Sequence, residues 1–239
     1  DAQTGEQPFC GIFTYTLPHA ELAQPHDSIF NDYKKKFFTD KTWGGEKGSR
    51  YNPSDHTHAH FAGMITRLDS YVGEILKKLK ENTIVFFSSD NGPHEEGGAD
   101  PEFFGRDGKL RGLKRQCHEG GIRIPFIVRW PGHIASGTTN DHQLAFYDIL
   151  PTFCELIGKN KDHFDGISFA PTLLGNDKKQ KEHEFLYWEF HETDQMAVRM
   201  GDWKLIIKKG IPSLYNLKED LHEDHDVASQ NPSIVKKML

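Results

Sequence analysis

Apolar positions along the chain fall into blocks whose spacing changes from one block to the next. Residues 9–17, Phe-Cys-Gly-Ile-Phe-Thr-Tyr-Thr-Leu, mix aromatic and β-branched types in one short run. That run predicts a buried strand, ended by Pro18, with His19 just past its carboxyl end. Residues 20–54 show no periodicity and read as a surface excursion carrying Lys34-Lys35-Lys36 and Gly44-Gly45. From a cap at Ser54 or Asp55, the positions Phe61, Met64, Ile65, Leu68, Val72, Ile75, Leu76 and Leu79 follow helical spacing. They predict one amphipathic helix running to about Lys80 with a single buried stripe.

Past that helix the pattern shortens. Thr83-Ile84-Val85-Phe86-Phe87-Ser88-Ser89 is a continuous run of the kind found in a central parallel strand. A Gly-rich, charged loop spans residues 90–121, then Pro125-Phe126-Ile127-Val128-Arg129-Trp130 predicts another buried strand. Residues 145–158 predict a helix through Phe146, Ile149, Leu150, Phe153 and Leu156. This alternation is the grammar of an α/β domain with a mostly parallel sheet, whose ligands gather at the carboxyl ends of strands. Beyond residue 176 the elements become short strands, Phe185–Phe190, Met196–Met200, Trp203–Lys208 and 213–217, with Gly201-Asp202 as a hairpin turn. The chain therefore divides into an α/β part, residues 1–176, and a small antiparallel-sheet α+β part with a terminal helix, residues 177–239.

Composition narrows the function classes. With 29 Lys and Arg against 35 Asp and Glu the net charge is −6, which gives no electrostatic reason to expect nucleic acid or an anionic membrane as partner. The 239 residues include 17 Phe, enough large apolar side chains to exclude global disorder, while no apolar run is long enough to span a bilayer. Mean hydropathy is −0.65, on the polar side for a globular chain. Three cysteines, Cys10, Cys117 and Cys154, make a disulfide framework improbable without excluding an extracytoplasmic home.

Three segments carry candidate chemistry. Ser88-Ser89-Asp90-Asn91-Gly92-Pro93 presents two oxygen donors directly after a strand, a pattern hard cations such as Ca²⁺ or Mg²⁺ use, although Asn-Gly-Pro also makes a plain turn. Lys114 sits in Gly112-Leu113-Lys114-Arg115-Gln116-Cys117-His118-Glu119-Gly120-Gly121, where it can meet an anion as a point charge or simply face solvent. His19 after Pro18 can donate a proton or bind an anion, or can be an ordinary surface histidine.

Taken in order, Thr-Leu-Pro-His19, Phe-Phe-Ser-Ser-Asp90-Asn91-Gly-Pro, Lys114-x4-Glu119-Gly-Gly-Ile-Arg-Ile-Pro and Arg-Trp-Pro-Gly132 resemble the type I, formylglycine-dependent sulfatases of the arylsulfatase family. Gly201-Asp202-Trp203-Lys204-Leu205 followed by Leu214-Tyr215-Asn216-Leu217 is similar to that family's C-terminal sheet subdomain, so the resemblance runs from about residue 9 to the end. It implies an alkaline-phosphatase-like sandwich, incomplete here, and hydrolysis of a sulfate ester on a sulfated small molecule or, more specifically, a sulfated carbohydrate. It implies Asp90 and Asn91 as two ligands of Ca²⁺ (Mg²⁺ being the alternative), Lys114 on the sulfate, and His19 on the leaving-group side as proton donor. His94, in His94-Glu95-Glu96-Gly97-Gly98, is a candidate contact for a substrate sugar.

One part of the family's pattern is missing. The nucleophile of these enzymes is a formylglycine made from Cys or Ser in Cys/Ser-x-Pro-x-Arg, and neither the three cysteines nor any serine here has that context. The resemblance therefore implies a C-terminal portion that lacks the nucleophile and is inactive alone, with formylglycine and the rest of the metal shell in an N-terminal portion of the same enzyme. It also implies a periplasmic or secreted location. The rival readings are a metal-dependent phosphatase or phosphodiesterase, against which Asn91 argues because those enzymes tend to carry His there, and a non-catalytic sulfatase-like domain that binds glycans. Among the remaining polar residues, His56, His58 and His60 read as surface or interface groups rather than a zinc site, and Glu219–Asp226 as a solvated acidic face. His118 and Arg123 read as groups that order their loop.

Overall fold

In a computed structural model of the chain, residues 8–105, 110–159 and 163–239 are described; the polar lead-in before residue 8 lies outside them. The chain forms two compact units, Asp1–Lys80 with Gly92–Gly108, and Glu81–Asn91 with Lys109–Leu239.

The first unit is built on two helices, α1 (Ser28–Lys36) and α2 (Thr57–Lys78). Helix α1 falls in the stretch read as irregular. Its markers are present nonetheless: Asp27 caps it by accepting from the Ile29 and Phe30 amides, and Lys34, Lys35 and Lys36 complement the negative end of its dipole. Helix α2 is the amphipathic helix the spacing predicts, but neither Ser54 nor Asp55 caps it. His56 occupies the cap position in a left-handed conformation, and the carboxylate that accepts the first free amides, His58 N at 3.0 Å and Ala59 N at 2.9 Å, belongs to Asp40. A cap supplied from outside the helix leaves no local signature. The core of this unit gathers Leu22, Met64 and Ala99 with Leu17 and Phe61 against them.

Residues 9–16 form no strand. They are exposed, Ile12 to 85%, because composition supplies a strand's side chains but not the partner edge that a strand requires. His19 consequently follows a turn, in which its amide donates to Thr16 O, instead of a strand end.

In the second unit, β1 (Val85–Ser88) pairs with β2 (Phe126–Arg129), antiparallel, with Ser88 opposite Phe126. The pairing is not parallel because the intervening loop leaves and returns at the same end of β1; its described residues carry a 3-10 turn at Glu96–Gly98 and the four-residue helix α3 (Glu119–Ile122), and no crossover helix along the strands. Phe86 and Phe126 pack against Phe169, and Phe86 also against Phe153 on α4 (Ile149–Leu156). Buried Asp148 before α4 accepts from Ala145 N at 2.7 Å and Ile167 N at 2.8 Å and meets His183 Nε2 at 2.9 Å, which ties three loops together. A further short helix, α5 (Ala170–Leu173), follows.

The C-terminal sheet matches the sequence closely. Strands β3 (Leu186–Phe190), β4 (Gln195–Met200), β5 (Trp203–Lys208) and β6 (Ile211–Asn216) form an antiparallel meander in that order, with Met200 opposite Trp203 across the Gly201-Asp202 turn. The period-2 alternation on β5 sets its two faces. Leu205 and Ile207 pack with Leu214 under helix α6 (Pro232–Met238), whereas Ile206 lies with Ala197, Tyr215 and Cys117 on the other face.

Candidate functional site

The sequence-predicted site residues are distributed over both units, and each unit is described by itself. In the first, the chain brings His19 and His94 together: their rings stack with centroids 5.2 Å apart and planes 24° from parallel. His94 Nδ1 accepts from the Glu96 amide at 3.2 Å, so its proton resides on Nε2, which points to Pro18 O at 3.4 Å. His19 Nδ1 lies 2.6 Å from Ala20 O; a carbonyl only accepts, so this nitrogen donates. His19 Nε2 lies 3.0 Å from Glu96 Oε2. His19 is 39% exposed and Glu96 14%, so the imidazole keeps one open side.

The segment carrying Glu96 is seated by glycines. Gly97 and Gly98 have φ values of 63° and 86°, in the left-handed region. A Cβ on Gly97 would lie 2.7 Å from the Ala20 Cβ, and one on Gly98 would collide with the Trp43 side chain. Glu96 was not singled out by the sequence, although Glu95-Glu96-Gly97-Gly98 immediately follows the flagged His94.

The same unit corrects the histidine reading. His58 and His60 are only 8% and 7% exposed. His58 bridges Asp40 and Asp100 through Nδ1 and Nε2, at 3.0 and 3.1 Å, and stacks on Phe103. His60 packs on Phe30, and burial pushes its pKa below the ordinary histidine value, with His26 and His56 adding to the effect. Both face inward because the first turns of α2 carry the packing against α1, which a count of histidines along the sequence cannot reveal.

In the second unit, Asp90 and Asn91 sit on a turn after β1, held as Ser88 Oγ donates to Pro125 O at 2.8 Å and Ser89 Oγ to Asn91 O at 2.9 Å. Asp90 is exposed. Lys114 occupies a tight turn closed by Gln116 N to Leu113 O at 3.0 Å, in which Arg115 takes φ 73°. Gly120 and Gly121, on α3, pack directly against that turn's backbone. A Cβ on Gly120 would lie 2.5 Å from Gly112 O and 2.7 Å from Arg111 O, and one on Gly121 would collide with the carbonyls of Gln116 and Leu113. The two glycines thus hold the segment that presents Lys114.

Beside them is an ion cluster that the sequence did not predict. Lys204 Nζ lies 2.8 Å from Glu119 Oε1 and 3.0 Å from Glu223 Oε1, all three side chains being within 2% of full burial. Glu223 Oε2 also accepts from the Glu119 amide at 2.7 Å, and Arg111 Nη1 donates to the Glu223 carbonyl at 2.6 Å. Glu223 comes from the segment read as solvated; its neighbours are mostly exposed, but this side chain turns in to meet the lysine. Desolvation raises its pKa above the ordinary carboxylate value, an effect that Lys204 opposes. His118, at the N-terminal cap position of α3, is depressed to about 4, first by burial and then by Arg111 and Lys204.

The sulfatase family profile matches residues 6–159. The chain belongs to the sulfatase family. A second profile, N-sulphoglucosamine sulphohydrolase, C-terminal, matches residues 112–238. The N-acetylgalactosamine-6-O-sulfatase of Bacteroides thetaiotaomicron is 30% identical over 223 residues, covering 76% of this chain and 42% of that protein. Bovine arylsulfatase A is 31% identical over 201 residues, covering 72% of this chain and 38% of that enzyme. The crystal structure of Ps i-CgsB aligns with a TM-score of 0.73 at 27% identity, covering 94% of this chain and 47% of that one. That protein has also been solved in complex with k-i-k-neocarrahexaose. This sulfatase chain thus spans less than half the length of these relatives. The alkaline-phosphatase-like fold class inferred from the motifs agrees with these sulfatase neighbours. Among the described residues, no helix is long and apolar enough to cross a membrane, and no group of three or more His, Cys, Asp or Glu side chains is arranged to hold a metal ion.

Proposed function

We propose that this chain serves as the C-terminal portion of a sulfatase that hydrolyses sulfate esters on a carbohydrate, in the periplasm or outside the cell. In this reading residues 1–176 complete the catalytic α/β domain and residues 177–239 form its small sheet subdomain. The observation that carries the reading is the pinned His19 imidazole, tied at one nitrogen to the backbone and stacked on His94 with one side open. Cleaving a sulfate ester pushes an electron pair onto the leaving oxygen, and a sugar alkoxide is a poor leaving group unless a proton arrives with it. In this reading His19 supplies that proton, and His94 contacts the sugar beside it. Lys114 meets the sulfate as a positive charge and lowers the cost of the charge around sulfur. The exposed apolar side chains Phe9, Ile12 and Phe13 support the idea that this chain packs against a further portion of the same enzyme.

The donor set after β1 suits part of a hard-cation shell: one carboxylate and one amide oxygen, adjacent and on a turn. Calcium takes about 6–8 oxygens, so Asp90 and Asn91 would hold Ca²⁺, or Mg²⁺ in its place, only together with ligands from elsewhere. Bound there, the cation would supply a positive charge to offset the sulfate oxygens. The formylglycine nucleophile would likewise come from the N-terminal portion.

The test is hydrolysis of 4-nitrophenyl sulfate, a 6-O-sulfated N-acetylgalactosamine and 4-nitrophenyl phosphate by the complete gene product. Sulfate turnover that is abolished by Lys114→Ala, with phosphate the poorer substrate, is the expected outcome. Faster turnover of phosphate would overturn the assignment, and robust sulfate turnover by the 239-residue chain alone would refute its role as a partial enzyme.

A further inference from the structure

Both ring nitrogens of His19 face hydrogen-bond acceptors. Nδ1 donates to the Ala20 carbonyl at 2.6 Å, and Nε2 lies 3.0 Å from a Glu96 carboxylate oxygen. A neutral imidazole has one N–H, and here the Ala20 carbonyl takes it; Nε2 would then turn a lone pair toward a carboxylate. The contact becomes favourable when Nε2 carries a proton as well, because Glu96 Oε2 accepts it as a charge-assisted bond. We propose that Glu96 is the positioning residue of His19, fixing its ring plane and holding on Nε2 the proton that goes to the leaving group. The proposal rests on the reading of His19 given above and adds the group through which its imidazole is aimed.

Three features give Glu96 this role over that of a chance ion pair. The glycines after it seat its backbone against Ala20, the residue whose carbonyl takes the other nitrogen of the same imidazole. The Glu96 amide fixes the tautomer of His94, which stacks on the His19 ring and leaves it little freedom to tilt. Glu96 is far less exposed than His19, so water competes weakly for the carboxylate while the imidazole edge stays reachable. In the step itself, the sulfur–oxygen bond to the leaving group breaks with its electron pair going to oxygen. The Nε2–H bond breaks as an O–H bond forms on that oxygen. The neutral imidazole left beside the Glu96 carboxylate then regains a proton from water at its exposed edge.

The experiment uses Glu96→Gln, which keeps size and shape and removes the charge, with Glu96→Asp as the conservative partner. In the complete gene product, Glu96→Gln is expected to lower kcat on a sugar 6-O-sulfate about 100-fold, within the range positioned proton transfer supplies. It should change kcat on 4-nitrophenyl sulfate by less than about 3-fold, since a nitrophenolate departs without a proton. His19→Ala should give the same pattern, the double variant should be no worse than His19→Ala, and Glu96→Asp should recover part of the loss. Equal losses on both esters, no loss on either, or losses that multiply in the double variant would overturn the proposal. Nitrogen-15 spectra of the histidine side chains in the 239-residue chain form the independent arm. A bonded Nε2 proton on His19 that disappears in Glu96→Ala supports the pair, and a His19 signal indifferent to Glu96 sinks it. If the complete gene product cleaves no sulfate ester, the function proposed above fails, and this second arm still decides whether Glu96 holds the His19 proton.

Discussion

The chain contains Glu-Gly-Gly twice, at 96–98 and at 119–121, and uses the tripeptide in opposite ways. In both places the glycines let a loop press against neighbouring chain: Gly97 against Ala20, Gly120 and Gly121 against the carbonyls of residues 111–116. The difference lies in what the glutamate meets. Glu96 faces a histidine that keeps 39% of its side-chain surface in water. Glu119 faces Lys204, which keeps none. A carboxylate beside a solvent-facing imidazole can hold a proton and let it go, so it suits chemistry. A carboxylate locked on a buried ammonium can do neither without leaving a bare charge in the interior, so it suits architecture. The second cluster lies against the turn that carries Lys114 and fastens that turn to β5 and to the segment around Glu223.

The sharpest way to break this comparison is to remove the cation from the buried cluster. Lys204→Ala takes the ammonium away from both buried carboxylates, leaving, among the described residues, Glu119 only Arg199 at 3.4 Å and Arg123 at 3.9 Å and Glu223 only the Glu119 amide, and losing one member of a buried ionic group costs about 3–5 kcal/mol. Urea denaturation of this chain should show that loss, whereas Glu96→Gln should stay within about 1 kcal/mol, the range for a partly exposed pair. Similar losses in the two variants would mean that the clusters play the same structural part.

A smaller effect separates the two sets of glycines. Gly121→Ala drives a methyl group into backbone carbonyls that cannot rotate away, and overpacking of that kind costs about 1–3 kcal/mol. It should also displace the Lys114 turn, visible as changed amide chemical shifts over residues 111–116. Gly97→Ala meets a single methyl group on Ala20 and a left-handed φ, so it should move the His19 and His94 ring signals while leaving the 111–116 amides alone. If Gly121→Ala leaves residues 111–116 undisturbed, the glycines do not hold that turn.

Much of this molecule was legible from the order of its residues. The β4–β5 hairpin announced itself through Gly201-Asp202 between two alternating runs, and α2 through its 3.6-residue stripe, because those patterns are local consequences of pleat and pitch. His19, Asp90, Asn91 and Lys114 were read as site residues from type and spacing, and their roles are part of the function proposed above. What stayed hidden depended on partners distant in sequence. Asp40 caps α2 from 17 residues before its first residue, Thr57. Glu223 reads as one acid among several until Lys204 is seen against it, and Glu96 is one of two adjacent glutamates until the structure places it on His19. The run at 9–17 failed for the converse reason: its residues suit a strand, and the described residues give it no edge to join.

The smallest effect is one of pH, and it comes from within the second cluster. His118 is pushed down to about 4, chiefly by burial, so it binds protons more weakly folded than unfolded. Its contribution is present above the unfolded value near 6.5 and is lost as pH falls toward 4, because the unfolded chain takes up the proton first. Glu223 works in the opposite sense. Burial raises its pKa above 4.5, so its contribution is present below that value and is lost as pH rises through the raised one. Over the acidic range the two slopes oppose one another and flatten the stability profile of the native chain. Denaturation followed between pH 4 and 7 should therefore steepen in Glu223→Gln, where the depressed histidines, His118 foremost, are no longer opposed by this carboxyl. In His118→Gln the acid-side loss should shrink, leaving what His60 and His142 contribute. An acid-side slope that His118→Gln leaves unchanged would mean that this buried histidine does not set it.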